Sequence, residues 1–395
     1  MTIRHRVAPL AVALLALAGC APRLVTPVTD PAHALARARP RAWAAWRDDG
    51  DLPSLRAALV QSLTWLETQP PDRPLVFGPR TVTAGHQRAA LAGLLAELAG
   101  APGPETLTAR ILERFEVLRS VGGPDGQVLV TGYYEPVVEA ADRPGDGHAV
   151  PIFGVPDDLI EVALETFDPR WRGERLAGRR EGRRLVPYWT RAEIDAGRLD
   201  GRGLELAWAR DPVDVFFLEI QGSGTLRLPD GREVRIGHAA SNGRPYRAIG
   251  RLLIDEREMV PEAVSMQSLR AWLAAHPAER ARVLHYNESY VFFRRLDGPP
   301  LGNLGVPVTP GRSIATDARL FPSGALAFIR TEQPVRAPDG RIDWRPLARF
   351  VLNQDTGGAI RGPGRVDLFW GRGEQAELAA GLMKQPGQLY FLVPR

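Results

Sequence analysis

Three aspartates near the C-terminus have the best placement in this chain for acid–base chemistry. Asp355 and Asp367 bracket the glycine-rich run Thr-Gly-Gly-Ala-Ile-Arg-Gly-Pro-Gly-Arg-Val, and Asp317 lies upstream in Ser-Ile-Ala-Thr-Asp-Ala-Arg-Leu-Phe-Pro. A carboxyl group whose pKa is raised by apolar surroundings or by a neighbouring charge can donate a proton and take it back. The glycines allow a sharp turn between two strands. The spacing therefore predicts carboxylates held at strand ends on a rigid frame.

Other chemistries fit these residues less well. Asp355-Thr-Gly resembles the triplet of aspartic proteases, but those enzymes need two carboxylates that share a proton, and no second Asp-Thr-Gly or Asp-Ser-Gly occurs. The segment around Ser223, Gln-Gly-Ser-Gly, lacks the spacing of a Gly-x-Ser-x-Gly elbow. The seven histidines form no pair at ligand spacing, so we expect no metal. Each aspartate taken alone could equally form a turn.

Aromatic and polar side chains beside predicted turns favour a carbohydrate ligand. Aromatic rings offer flat apolar faces to pyranoses, and amides and hydroxyls can bond to sugar hydroxyls. Several of the rings could instead belong to the core. The residues we expect to bind substrate are Tyr133, Tyr134, Gln221, Ser223, Asn287 and Trp370.

Composition places the chain among soluble globular proteins with one large domain or two. It has 395 residues, of which 44% are hydrophobic and 24% charged, and its 40 glycines and 35 prolines predict many loops. The net charge is only +4, and the arginines alternate with acids instead of forming a basic run. We therefore expect no nucleic-acid partner.

The N-terminus is typical of an exported lipoprotein. Arg4 and Arg6 precede a short apolar stretch that ends in Leu-Ala-Gly-Cys20, and Cys20 is the only cysteine. This stretch is too short to span a bilayer, so residues 1–20 are predicted to be a signal peptide with a lipobox. A plain signal peptide with an incidental cysteine is the alternative. Residues 21–53, rich in Pro, Arg and Ala, are predicted to form a tether.

Apolar periodicity predicts helices near the N-terminus and mostly strands after them. Spacing of three and four residues favours helices, whereas apolar runs and alternation favour strands. Many strands without a βαβ rhythm indicate a mainly-β, two-domain protein whose topology the pattern leaves open. The predicted helices include 55–67, 86–98 and 105–119, and the predicted strands include 213–220, 348–354 and 366–370.

Several long motifs in one order resemble the lytic murein transglycosylase A family, including its C-terminal 3D domain, which is named for three aspartates. The motifs include Thr131-Gly-Tyr-Tyr-Glu-Pro, Gly237-His-Ala-Ala-Ser-Asn-Gly-Arg-Pro-Tyr-Arg-Ala-Ile-Gly and the segment around Asp355 and Asp367. The resemblance implies a double-psi β-barrel domain with N-terminal helices, a smaller inserted β-domain and a groove between them. The barrel is expected at 54–130 and 296–395, with the 3D region at about 305–395, and the insert at 131–295.

The resemblance also implies an activity and a site. Members of the family cleave the β-1,4 bond between N-acetylmuramic acid and N-acetylglucosamine and leave 1,6-anhydromuramoyl ends. By motif position Asp367 is expected to be the catalytic acid/base, with Asp355 and Asp317 supporting it, and no cofactor is required. A non-catalytic peptidoglycan-binding lipoprotein and a hydrolase that gives reducing ends are the alternatives.

The expected partners and location follow from the same resemblance and from the N-terminus. We expect the protein to bind peptidoglycan glycan strands, to meet other cell-wall enzymes and to be a monomer. No Asp follows Cys20, which implies that a lipid on this cysteine anchors the protein in the outer membrane of a Gram-negative bacterium, facing the periplasm.

Overall fold

The computed structural model of the protein describes residues 28–39, 43, 46–123, 126–171 and 174–395. The predicted signal peptide and the predicted lipidation site Cys20 lie outside these residues. Within the described ranges, no helix has both the length and the apolar composition needed to cross a membrane.

The secondary-structure elements are numbered here in chain order. The strands are β1 (Leu35–Arg37), β2 (Pro74–Phe77), β3 (Arg80–Thr83), β4 (Phe115–Ser120), β5 (Val128–Glu135), β6 (Val137–Ala141), β7 (Val150–Phe153), β8 (Ile160–Ala163), β9 (Arg175–Glu181), β10 (Arg184–Pro187), β11 (Glu205–Ala209), β12 (Ser223–Arg227), β13 (Glu233–Ser241), β14 (Val291–Leu296), β15 (Ser313–Ala315), β16 (Leu326–Arg336), β17 (Ile342–Asp355), β18 (Arg365–Arg372) and β19 (Lys384–Pro394). The α-helices are α1 (Leu52–Glu67), α2 (Ala84–Glu97), α3 (Pro104–Arg114), α4 (Arg191–Glu193), α5 (Pro212–Gln221), α6 (Ile249–Asp255), α7 (Met266–Ala275), α8 (Arg280–Tyr286) and α9 (Glu374–Leu382).

The larger domain is a closed barrel. Its strands pair in the order β5-β18-β15-β17-β16-β19, and β19 returns to pair with β5, which closes the ring. Two of the six pairs of adjacent strands in the ring, β15 with β17 and β18 with β5, are parallel. The other four pairs are antiparallel. A closed barrel leaves no free sheet edge, so residues on its strands are held firmly. β4 and β1 extend the sheet from β19.

The N-terminal helices and the segment before them cover the barrel. Helix α1 begins at Leu52, because Asp51 accepts a hydrogen bond from the Ser54 N–H at 2.7 Å and Pro53 follows at the start of the helix. Trp46 is 1% exposed and stacks on Phe328 with ring centroids 4.0 Å apart. Residues 46–53, which the composition suggested as part of a tether, therefore belong to the packed barrel domain.

A buried ion pair fastens this segment to the barrel. Arg312, 1% exposed, donates to both carboxylate oxygens of Asp48 at 2.7 and 2.8 Å. It also donates to Phe350 O, Asp51 O and the Ser54 hydroxyl. Because its remaining donors are bonded, the guanidinium is tolerated in the interior.

The inserted domain is built on a six-stranded sheet. The strands run in the order β14-β13-β12-β6-β11-β7, and a separate small sheet contains β10, β9 and β8. β5, within which the insert was expected to begin, is a barrel strand, and the chain leaves the barrel after Glu135. The predicted barrel, N-terminal helices and smaller β-domain are all present.

Two of the predicted elements differ in the structure. Residues 213–220 were expected to form a strand but lie in α5, where Asp211 caps the first turn and Gly222 ends the helix with φ +77°. Most residues of this helix are apolar because it packs between two hydrophobic clusters of the insert. The predicted helix 105–119 ends at Arg114, and its last residues form β4.

Candidate active site

The strand register brings Asp355 and Asp367 to one level of the barrel. Ala315, in the short strand β15, is opposite Asp355 on one side and opposite Asp367 on the other. Two strand spacings separate the backbones of the aspartates, which corresponds to about 10 Å. Asp367 is next to Thr131 of β5 on its far side. The glycine-rich loop between β17 and β18 thus lets the chain return with both carboxylates at the same end of the barrel.

Asp367 is the aspartate whose surroundings suit a general acid. Its side chain is 17% exposed, so a ligand can reach it. Burial raises the pKa of Asp367 to about 6, and the Arg365 guanidinium opposes that rise, while the charge of Asp355 adds to it. Arg365 Nε lies 3.4 Å from Asp367 Oδ1, and its Nη2 donates to the Thr131 hydroxyl at 3.2 Å. A carboxyl group with this pKa can hold and release a proton near neutral pH.

Asp355 is held as a hydrogen-bond acceptor. Its Oδ1 accepts from the Asn303 and Thr356 N–H groups, both at 2.8 Å, and its Oδ2 accepts from the Tyr133 hydroxyl at 2.9 Å. Burial raises the pKa of Asp355, and these three donors oppose that rise. The Tyr133 ring packs on Phe369 at a centroid distance of 5.1 Å. The carboxylate of Asp355 is therefore fixed in place beside the acid.

Asp317 is fully buried and stabilises a loop. Its carboxylate accepts from Arg319 Nε at 3.0 Å, from Arg319 Nη2 at 2.8 Å and from the Gly362 N–H at 2.8 Å. Burial alone would raise the pKa of Asp317, but these hydrogen bonds outweigh it, and the pKa lies below its usual value. Asp317 thus supports the loop 356–364, and its hydrogen bonds go to this loop and to Arg319.

A cleft of about 690 Å³ lies where the inserted domain meets this loop. Its lining residues come from the insert and from the barrel loop: Ser241, Arg244, Pro245, Tyr246, Arg247, Ala248, Arg251, Tyr286, Ser289, Gly358, Ala359 and Arg361. Tyr246 is 41% exposed, and the partial burial of its ring raises its pKa, on which the charges of Arg365 and Asp367 act in opposite senses. Tyr246 is therefore a cleft residue within electrostatic reach of the acid.

Tyr246 was not among the predicted site residues. It lies in the motif Gly237–Gly250, whose one tyrosine was a usable signal. Its position depends on how the insert packs against the barrel, which the motif alone does not specify. The cleft as a whole is the groove expected between the two domains.

Comparisons with known proteins identify the family of the chain. The model of the MltA specific insert domain matches residues 129–294, and the model of the 3D domain matches residues 312–393. Membrane-bound lytic murein transglycosylase A of Vibrio cholerae is 32% identical over 277 residues, which cover 69% of this chain and 67% of that protein. The chain belongs to the lytic murein transglycosylase A family. The resemblance drawn from the motifs is confirmed.

Solved structures of the family share the fold. A crystal structure of membrane-bound lytic murein transglycosylase from Agrobacterium tumefaciens is 34% identical, covers 92% of this chain and 98% of its own, and gives a TM-score of 0.74. The structure of Escherichia coli MltA with bound chitohexaose, 24% identical, covers 94% and 95% with a TM-score of 0.66. The predicted fold class is confirmed.

Two of the residues predicted to bind substrate lie behind the site. Tyr134 is 4% exposed, and burial raises its pKa to about 12 among the charges of Glu377, Arg270 and Asp214. Gln221 accepts a hydrogen bond from the Tyr134 N–H at 3.0 Å. Both residues therefore hold the end of β5, which carries Tyr133 at the site.

The Trp370 ring packs against the hydrophobic core of the barrel and lies so close to Gly132 that a Cβ there would come within 2.7 Å of it. This packing is typical of a structural residue, within the described ranges no hydrogen bond joins Trp370 to an aspartate, and its role in binding substrate stays a prediction. Ser223 begins β12 opposite Gly237, and its hydroxyl makes no contact with the aspartates in the same ranges.

Asn287 organises the wall of the cleft from within the insert. It is 2% exposed, and its Oδ1 accepts from the Arg247 N–H at 3.0 Å. Arg191, buried against Glu219 at 2.7 and 3.1 Å, donates to Asn287 O and Ser289 O. This network fixes the turn 287–289, so Asn287 orients cleft residues and is itself nearly inaccessible to a ligand.

The described residues show no site for a metal ion. Across those ranges no group of three or more His, Cys, Asp or Glu side chains comes together as a metal site would require.

Proposed function

We propose that this protein is a lytic transglycosylase that cleaves the β-1,4 bond between N-acetylmuramic acid and N-acetylglucosamine in peptidoglycan, with Asp367 as its acid/base. The relatives in the family are named lytic murein transglycosylases. The observation that carries the proposal is the carboxyl group of Asp367, which is 17% exposed and has a pKa raised to about 6, beside Asp355 at one end of the barrel.

The reaction needs only one residue that exchanges a proton. Protonated Asp367 donates its proton to the glycosidic oxygen as the bond from that oxygen to C1 of the muramoyl unit breaks. The C6 hydroxyl of the same unit attacks C1, and the Asp367 carboxylate accepts the proton of this hydroxyl. The products are a 1,6-anhydromuramoyl end and a glucosamine end with a free C4 hydroxyl. Asp367 is protonated again, and no water is consumed.

The neighbours of Asp367 adjust this proton exchange. The charge of Asp355 favours the protonated acid, whereas Arg365 favours the carboxylate that forms as the leaving oxygen takes the proton. Asp355 already accepts hydrogen bonds from Tyr133, Asn303 and Thr356, so three of its roughly four lone-pair sites are engaged. This arrangement supports a positioning role for Asp355 over the activation of water, which a hydrolase would require.

The proposed location rests on the N-terminus and on the relatives. Those relatives are named membrane-bound and come from Gram-negative bacteria. We propose that a lipid on Cys20 anchors the protein in the outer membrane, facing the periplasm, where it acts as a monomer on glycan strands. Contacts with other cell-wall enzymes belong to the same proposal.

Mass spectrometry of the muropeptides released from purified sacculi tests the activity. Fragments should end in anhydromuramic acid and be lighter by one water than hydrolytic products. Reducing ends in the majority of fragments would favour the hydrolase alternative.

Substitution of the acid tests its role. Asp367→Asn keeps the shape of the side chain but exchanges no proton, so turnover should fall at least 10²–10⁴-fold while binding to sacculi persists. Asp297→Asn is a matched control, because Asp297 is an exposed aspartate outside the cleft. If wild type also fails to release fragments while still binding sacculi, a non-catalytic binding protein is the better conclusion.

A further inference from the structure

The cleft between the insert and the loop 356–364 is lined by four arginines. Arg244, Arg247 and Arg251 line it on the insert side and Arg361 on the barrel side, and none of its lining residues in the described ranges is Asp or Glu. Walls of one sign of charge focus the field and attract groups of the opposite sign. The part of a ligand that occupies this cleft is therefore expected to carry negative charge.

The acids nearby neutralise only part of this charge. Glu288 is shared between Arg247, at 3.2 Å, and Arg244, at 3.9 Å. Arg251 pairs with Asp255 at 2.9 Å along its own helix. Arg361 donates to the neighbouring Ile360 carbonyl at 3.4 Å and has no carboxylate partner within the described ranges. The charge of Arg244 also lowers the pKa of Glu193, so three acids face four arginines, and Arg361 has the freest guanidinium of the four.

We propose that these arginines bind carboxylates on the 3-O-lactyl substituent of muramic acid, either the free lactyl carboxylate or the carboxylates of a peptide stem attached to it. This inference rests on the proposed function and names the part of the substrate that the cleft recognises. A guanidinium presents a planar set of N–H donors that matches a carboxylate. A neutral sugar hydroxyl would not benefit from the positive charge of the guanidinium.

The reaction requires a muramoyl unit at Asp367. The C6 hydroxyl attacks C1 of its own sugar, so the unit that presents C1 and the C6 hydroxyl to Asp367 is the muramoyl unit, and the glucosamine lies on the other side of the scissile oxygen. Tyr246 belongs to the cleft and lies within electrostatic reach of Asp367. The lactyl substituent of that unit, which glucosamine lacks, can thus extend into the cleft.

Three kinds of soluble glycan strand of equal length test the proposal. The first carries peptide stems, the second has been freed of stems and bears lactyl carboxylates, and the third has those carboxylates converted to methyl amides and is neutral. We expect Arg361→Gln to reduce kcat/KM about tenfold on charged strands relative to the neutral strand, mainly through KM. Arg110→Gln, at an exposed position on α3 outside the cleft, should leave these ratios unchanged.

The pattern of loss identifies the carboxylate. A loss confined to strands with stems assigns the arginines to the peptide, and a loss confined to strands without stems assigns them to the lactyl group. Equal losses on all three strands, or none, would overturn the proposal. Arg361→Lys keeps the charge and should recover part of the lost discrimination.

Two further measurements distinguish a loss of carboxylate recognition from a folding defect and from a loss of catalytic activity. In wild type, raising the salt concentration should weaken binding of charged strands and spare the neutral one, because the cleft is open to solvent. Binding ratios measured by calorimetry with Asp367→Asn test the cleft without turnover. If wild type releases no anhydro ends, the proposed function fails, and these binding ratios still decide whether the arginines read carboxylates.

Discussion

Replacing Arg365 by Gln should move the pH profile of the enzyme to higher pH. Arg365 Nε lies 3.4 Å from Asp367 Oδ1, and its charge lowers a pKa that burial has raised to about 6. Only the protonated acid can start the reaction, so the alkaline limb of the pH profile of kcat follows the pKa of Asp367 in the complex. Removing the cation removes the stabilisation of the carboxylate, and the pKa of Asp367 should rise.

The size of the shift follows from the geometry. Two unit charges about 4 Å apart interact by about 1 kcal/mol in water and about 4 kcal/mol near a protein surface. The Arg365 and Asp367 side chains are 31% and 17% exposed, so solvent screens part of this interaction. One pKa unit corresponds to about 1.4 kcal/mol, and we expect a rise of about one unit. At pH 7 the protonated fraction of Asp367 would then increase from about 9% to about half.

Initial rates of release of anhydro-ended fragments between pH 4 and pH 9 measure this shift. The midpoint of the alkaline limb, rather than the maximal rate, is the quantity to compare, because Arg365 also donates to the Thr131 hydroxyl. Arg365→Lys keeps the positive charge and should have a midpoint close to that of wild type. An unchanged midpoint in Arg365→Gln, or a fall, would show that Arg365 does not set the pKa of the acid.

Three further predictions concern other parts of the molecule. Asp355→Asn removes a charge that raises the pKa of Asp367, so some activity should remain and the alkaline limb should move to lower pH; an inactive but folded Asp355→Asn beside an active Asp367→Asn would reverse the two roles. Asp48→Ala leaves Arg312 buried without its carboxylate and should lower the free energy of unfolding by about 3–5 kcal/mol in urea titrations; a loss below 1 kcal/mol would contradict a buried pair. Cys20→Ala should abolish labelling with radioactive palmitate, and persistent labelling would refute the lipobox.

Local features that depend on short stretches of sequence could be predicted. The strands on either side of the glycine-rich loop were predicted at 348–354 and 366–370, and the structure places them at Ile342–Asp355 and Arg365–Arg372. Helix α2 was predicted at 86–98 and lies at Ala84–Glu97. Apolar runs and turn-forming glycines carry this information locally.

Features that depend on partners distant in sequence could not be predicted from the sequence. The run 213–220 contains the β-branched and aromatic residues typical of a buried strand, and only its position between two clusters explains an apolar helix there. Asp48 and Arg312 are 264 positions apart, so their pairing was not visible in either segment. Tyr246 reaches the neighbourhood of Asp367 because the insert packs on the barrel.

The three aspartates of the 3D domain have different tasks because their surroundings differ. Asp317 accepts hydrogen bonds from a guanidinium and from the Gly362 N–H, so its pKa is lowered and it stays ionised as a clamp on the loop 356–364. Asp355 is half-buried, accepts hydrogen bonds from three donors and remains a fixed acceptor. Asp367 has one opposing cation at 3.4 Å, a pKa raised to about 6 and a side chain that is 17% exposed, so its carboxyl group is the one left to exchange a proton. Since Asp317 holds the loop that carries Arg361, its loss should weaken recognition of charged strands as well as catalysis, whereas loss of Asp367 should spare recognition.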